Sequence, residues 1–191
     1  MNIFYLDHDP VRAAQYHCDK HVVKMILETA QLLSTAHRVI DGDEEADAHG
    51  MYKATHRNHP SAVWVREAGG NYLYTHQLFR ALLAEYTYRY GKKHKTGKLL
   101  ETLSIPPFNI PHDPWFTPVR LAMPDEYKLQ SSLVEAPDGF TDAVASYRAY
   151  YQGAKANIAR WDRGPTPDWW GSAMQNQHKT SPTTVCRITH I

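Results

Sequence analysis

Asp19, Lys20, His21, Lys24 and Glu28 fall within ten consecutive positions and combine two cations, an imidazole and two carboxylates. Such a set can neutralise an anionic group, deliver a proton to it and take one from an attacking nucleophile. His17 stands four residues before His21, a spacing at which two imidazoles on one helix face can share a metal. The zinc-hydrolase pattern fails, because Cys18 occupies the position of the glutamate. Glu28 is a poor third ligand two turns on, and no acidic neighbour supports His56 and His59. The expectation is therefore an anion site, with no metal and no other cofactor.

A second cluster runs from Tyr52 to Pro60 and supplies Lys53, His56, Arg57, Asn58 and His59, with Trp64 and Arg66 downstream. Asn58-His59-Pro60 reads as a loop feeding a helix N-terminus, where free N–H groups and the helix dipole favour phosphate. A polar loop with capping roles is the alternative. Tyr127, Lys128 and Arg148 set rings beside bases, a pairing that stacks on nucleobases and holds phosphates, although helical tyrosines also serve as packing. Arg89, Lys92, Lys93, His94, Lys95 and Lys98 form an acid-free stretch beside Tyr86, Tyr88 and Tyr90. That stretch can track a DNA backbone, or it is a solvated loop after a helix.

The elements that must position these groups read as mainly α. Asp9-Pro10 supplies an N-cap and a first-turn proline, opening a helix expected to reach about Ile40. A second helical stretch runs from Pro60 to Gly91, bent or broken at Gly69-Gly70, and a short one covers Lys98 to Leu103. A last helix begins after Gly139 and extends to about Trp161. Residues 104–124 carry six prolines and read as extended loop packed by Phe108, Trp115 and Phe116. On the first helix, Val11, Ala14, Cys18, Val22, Met25, Ile26, Leu32 and Leu33 share the core face, which makes Cys18 packing rather than nucleophile. His17, Lys20, His21, Lys24, Glu28, Gln31, Thr35 and Arg38 share an arc of about 100° on the other side. Val23, Leu27 and Ala30 lie beyond that stripe, so a helix packed on both flanks, with its polar stripe lining a cleft, is expected. A solvated stripe supported by a Lys24–Glu28 pair is the alternative.

Length and composition bound the rest. A chain of 191 residues with 42% hydrophobic and 12% aromatic residues has enough material for one domain, residues 1–170, followed by an irregular tail, 171–191. No apolar run is long enough to span a bilayer and no leader pattern opens the chain, so a soluble cytoplasmic protein without a membrane partner is expected. Cys18 and Cys186 make no disulfide framework. Twenty-one Lys and Arg nearly balance twenty Asp and Glu, but five of those acids crowd into residues 41–47. That run reads as an exposed acidic loop, leaving fifteen acids against 21 bases elsewhere. Twelve histidines suggest metal, acid–base work or phosphate contact, and composition does not choose among them.

The ordered series carries a resemblance. It comprises Asp9-Pro10, Asp19-Lys20-His21-Val22-Val23-Lys24-Met25 with Glu28 and Gln31, His37-Arg38, Tyr52-Lys53, His56, Asn58-His59-Pro60, Trp64-Val65-Arg66-Glu67 and Asn71-Tyr72. It continues through Glu85-Tyr86, Arg89-Tyr90, His94-Lys95, Met123-Pro124, Glu126-Tyr127-Lys128 and Ser146-Tyr147-Arg148, covering about residues 1–170. These motifs resemble the amino acid:DNA transferases of bacteriophage thymidine hypermodification, in the alpha-glutamyl/putrescinyl thymine pyrophosphorylase group, some of whose relatives carry the label pyrimidine-dimer DNA glycosylase. Gly69-Gly70 and the tail after Gly171 depart from the pattern. The resemblance implies double-stranded DNA carrying phosphorylated 5-hydroxymethyluracil, and a free amino acid, glycine for example, as partners in the cytoplasm of an infected bacterial host. The amine would join the exocyclic methylene and expel phosphate or pyrophosphate. Asp19, His21 or Glu28 would take the amine proton, Lys20, Lys24, His56, His59 and Arg66 would meet the leaving group, and Arg66, Lys128 or Arg148 the amino acid carboxylate. Trp64 or Tyr127 would stack on an extruded base. The rivals are a glycosylase or lyase on modified or damaged pyrimidines, using a lysine or N-terminal amine as Schiff-base nucleophile, and a non-catalytic DNA-binding protein.

Overall fold

The computed structural model describes residues 1–111, 116–130 and 142–171. Its six α-helices are α1 (Pro10–Tyr16), α2 (Asp19–Ile40), α3 (Asp43–Ala48), α4 (Pro60–Val65), α5 (Gly69–Tyr90) and α6 (Ala143–Gln152). Short 3-10 turns cover Lys95–Leu99, Thr102–Ser104 and Asp125–Tyr127. The mainly α expectation holds.

α2 and α5 form the central antiparallel pair. The His37 ring bonds the Tyr72 hydroxyl at one end, and Arg89 holds the Asp19 carboxylate at the other. Met25, Ile26, Leu32 and Leu33 of α2 share one core cluster with Tyr72, Leu78, Phe79 and Leu82 of α5, all at most 1% exposed. Asp9 caps α1 as expected, its carboxylate accepting from Val11 N at 2.9 Å with Pro10 in the first turn. Gly91 ends α5 in the left-handed conformation at φ 62°, where a glycine carries no steric cost.

Several boundaries differ from the sequence expectation, each for a tertiary reason. The first helix is two: His17 and Cys18 are extended, which turns the His17 carbonyl toward Arg89. The acidic run 41–47 is not a plain loop but contains α3, organised by the buried Arg38 guanidinium. That group binds Asp43 at 2.9 Å, Asp47 at 2.6 Å and the Tyr52 and Met51 carbonyls. The interruption between α4 and α5 falls at Arg66–Ala68, and Gly69-Gly70 open α5, with Gly69 N bonded to the Pro111 carbonyl. The helix expected at Lys98–Leu103 is a pair of 3-10 turns, and α6 stops at Gln152 rather than near Trp161.

Of the residues expected to pack the proline-rich segment, Phe108 does not, being 83% exposed. Phe116 is 53% exposed but sets its ring against Trp64 and Tyr74, and Trp115 lies outside the described residues. The α2 stripe is not a cleft bounded by two packed flanks either. Val23 and Leu27 are exposed, whereas His17, His21, Glu28, Thr35 and Arg38 of the stripe are buried. The buried Cys18 agrees with its place on the core face. Val11, assigned to that face, is instead 47% exposed. Cys186 and almost all of the 171–191 tail lie outside the described residues. No helix among the described residues is long and apolar enough to cross a membrane.

Candidate active site

The site is built around Glu28, and the first six residues shape it. Ile3, Phe4, Tyr5 and Leu6 are at most 5% exposed, which threads the N-terminal segment through the core. Asn2 fixes its entry: its Oδ1 accepts from Ile3 N and Phe4 N, and its Nδ2 donates to the Ala122 carbonyl at 2.9 Å. Phe4 adopts φ 51°, a left-handed conformation that costs a bulky side chain roughly 1–2 kcal/mol. Its ring stacks on His21 at 4.5 Å and meets Tyr151 edge-on at 5.2 Å, contacts that hold the strained turn in place.

This turn delivers the amine of residue 1 to within 3.7 Å of Glu28 Oε2, and Asn2 N donates to the same oxygen at 2.9 Å. Lys24 Nζ approaches the other oxygen at 3.2 Å from one helical turn away. Glu28 is thus a buried carboxylate with a nitrogen donor on each oxygen. Lys24 itself is largely exposed and leads from the carboxylate into solvent.

His59 adjoins this cluster. Its Nδ1 accepts from Ser61 N at 3.2 Å, so in the neutral ring Nε2 carries the proton and is a donor. Burial lowers its pKa first, and the positive charges of the residue 1 amine and His56 lower it further, against the opposing effect of Glu28. The imidazole is neutral near pH 7. His59 therefore caps the six-residue α4 itself, and the helix N-terminus expected to receive phosphate already has that N–H satisfied. Next to it, His56 takes φ 49° and pairs its Nδ1 with Thr55 Oγ1 at 2.6 Å, while Thr55 N bonds Thr35 Oγ1. Lys24, Glu28, His56 and His59 are the sequence-derived residues that the fold gathers. The residue 1 amine and Asn2 join them without any periodic signal in the sequence.

The other candidates have different surroundings. His21 is 5% exposed, shares a 2.5 Å hydrogen bond with the Tyr151 hydroxyl, and has its pKa pushed down to about 3 by burial and then by His17, Lys155 and Lys24. A group so weakly basic is a poor proton acceptor at neutral pH. His17 is buried with its Nδ1 on the Ala13 carbonyl at 2.6 Å, and burial lowers its pKa to about 4. Asp19 is engaged by Arg89 on one oxygen and by Asp162 N and Arg163 N on the other. Lys20 and Asn58 are exposed.

Trp64 is fully buried with its Nε1 donating to the Thr117 carbonyl, so its ring has no face for a base. Arg66 donates to the Arg57 and Ala62 carbonyls. Tyr127 is partly exposed against α6, Lys128 pairs with Asp125, and Arg148 binds Asp7 and the Leu6 carbonyl. Arg89 leaves the expected DNA track: its guanidinium is fully buried among Glu85, Asp19 and the His17 and Gln15 carbonyls. Lys92, Lys93, Lys95 and Lys98 remain exposed, and the partly buried His94 caps Lys95–Leu99. No group of three or more metal-ligating side chains occurs among the described residues.

The matched part of the chain falls in a class of proteins that act on pyrimidines in DNA. Residues 1–98, just over half of the sequence, match the model of a family described as pyrimidine dimer DNA glycosylase, and the chain belongs to that family. The match takes in the N-terminal segment, Lys24, Glu28, His56 and His59, and stops before α6. No curated protein and no solved structure matches the chain.

Proposed function

We propose that the protein is a DNA base-modifying transferase that joins an amino acid, glycine being the expected one, to a phosphorylated 5-hydroxymethyluracil in double-stranded DNA. The observation that carries this reading is Glu28, a buried carboxylate whose two oxygens face nitrogen donors. An incoming amine exchanges for one of them, and Glu28 takes its proton. The amine lone pair forms the C–N bond to the exocyclic methylene as the C–O bond breaks, and that electron pair leaves on phosphate. Lys24 and Lys20 supply positive charge for the leaving group, and neutral His59 donates from Nε2. The reaction needs no further co-reactant, because the substrate carries its own leaving group. Its setting is the cytoplasm of an infected bacterial host.

One observation favours a second reading, a glycosylase or lyase. The amine of residue 1 lies 3.7 Å from Glu28, and such an amine can attack a sugar carbon and form a Schiff base. The Met1 side chain is 3% exposed while the residue as a whole is partly exposed, so what exposure it has lies on the backbone that carries the amine.

Nucleoside mass analysis after incubation with 5-phosphomethyluracil DNA and labelled glycine separates the two. Label in the nucleoside pool, lost in Glu28→Gln by at least about a hundredfold, is the result expected of the transferase. An unchanged phosphorylated base with every amino acid refutes it, and a borohydride-trapped protein–DNA adduct establishes the lyase instead.

A further inference from the structure

Tyr127, Tyr150, Gly153 and Lys155 form a second cluster, outside the segment matched by the family. The 3-10 turn Asp125–Tyr127 lies against α6, and the Tyr127 ring rests on the Gly153 backbone so closely that a Cβ there would overlap it. Glycine at 153 is what allows an aromatic face to lie at this point. Tyr150 braces the ring from the side, centroids 5.2 Å apart, and is itself parallel to Phe4 at 6.1 Å. Lys155 Nζ sits 4.7 Å above the Tyr150 ring.

Lys24, Lys128 and Arg148 nearby each pair with a carboxylate, Glu28, Asp125 and Asp7 respectively. Lys155 has none among the described residues, where its charge meets the face of the Tyr150 ring. A partly buried ammonium in that state is available to an anion. Lys155 and Lys24 both lie near enough to His21 for their charges to lower its pKa.

We infer that Tyr127 and Lys155 form a subsite for an unpaired nucleotide of DNA, the base stacking on Tyr127 and the phosphate meeting Lys155, with Tyr150 and Gly153 positioning them. This rests on the proposed action on DNA and adds how a strand is held once a base leaves the duplex. Bases inside a duplex already stack on each other, so the subsite selects unpaired ones.

The test is fluorescence anisotropy with a labelled oligothymidylate and with a fully paired duplex of equal length. Tyr127→Leu, Gly153→Ala and Lys155→Gln each weaken oligothymidylate binding by about five- to tenfold. Tyr127→Phe keeps the ring and the affinity, and duplex affinity changes less than about twofold. Thermal melting identifies the folded variants. Folded Tyr127→Leu and Lys155→Gln proteins with wild-type affinity for oligothymidylate overturn the subsite, as does an equal loss on the duplex. Selective loss of oligothymidylate binding supports it even if no amino acid is ever transferred, so the subsite and the transferase reading fail separately.

Discussion

Arg89 offers the sharpest test of the architecture. Its side chain is fully buried, and its nitrogens reach Glu85 at 2.7 Å, Asp19 at 2.9 Å and the His17 and Gln15 carbonyls at 2.9 Å. The Gly164 backbone lies so close that a Cβ there would stand 2.9 Å from Nε. Arg89→Ala leaves two carboxylates, each 11–13% exposed, without their cation and two carbonyls without a donor. Breaking a buried pair from one side costs about 3–5 kcal/mol. For a chain of this length that corresponds to a melting temperature lower by roughly 6–20 °C. Arg89→Lys keeps the charge but loses the planar fork, and falls between the two. Circular-dichroism melting and urea unfolding measure both. An Arg89→Ala protein melting within about 2 °C of wild type would refute the buried-hub account and return Arg89 to the surface track.

Two further expectations concern charge. His17 and His21 have pKa values lowered to about 4 and about 3, so both are neutral when folded and protonate more readily when unfolded. Stability is therefore full above pH 6.5 and declines as the pH falls toward 4, with each histidine contributing on the order of a few kcal/mol. Urea midpoints that stay level between pH 7 and pH 4.5 would contradict this. Replacing Lys92, Lys93, Lys95 and Lys98 by glutamine should flatten the dependence of DNA affinity on salt by about 0.9 log unit per lost phosphate contact. An unchanged slope removes that stretch from the DNA interface.

The helical pattern was legible because α5 buries one face, the first half of α2 carries its apolar residues at helical spacing, and α1 announces itself with Asp9-Pro10. What the pattern could not carry was long-range polar pairing. Arg38 on the polar stripe reads from periodicity as lining a cleft, yet it is the residue around which α3 forms. The break at His17-Cys18 has no proline or glycine to mark it, since it serves a carbonyl that Arg89 needs from 72 residues away. Glu28, Lys24, His56 and His59 stood out by residue type, and the fold assembles them. The residue 1 amine and Asn2 did not, because a turn with a strained phenylalanine brings them in. The histidine surplus was visible as a number only. Burial keeps His17, His21, His37, His59 and His94 toward neutrality, so these five act as hydrogen-bonding groups rather than cations.

The threading of Ile3–Leu6 also bears on how the molecule comes into being. The Leu6 carbonyl waits for Arg148, the His21 ring for Tyr151, and the Asp19 carboxylate for the backbone at 162 and 163. These partners are 130 to 144 residues apart, among the most distant pairings in the chain. Loop closure over such spans is slow, and synthesis runs from the N-terminus. The first residues made are thus among the last to be enclosed. A growing chain that has not yet released α6 presents an apolar N-terminal ribbon whose partners Arg148 and Tyr151 are still to come.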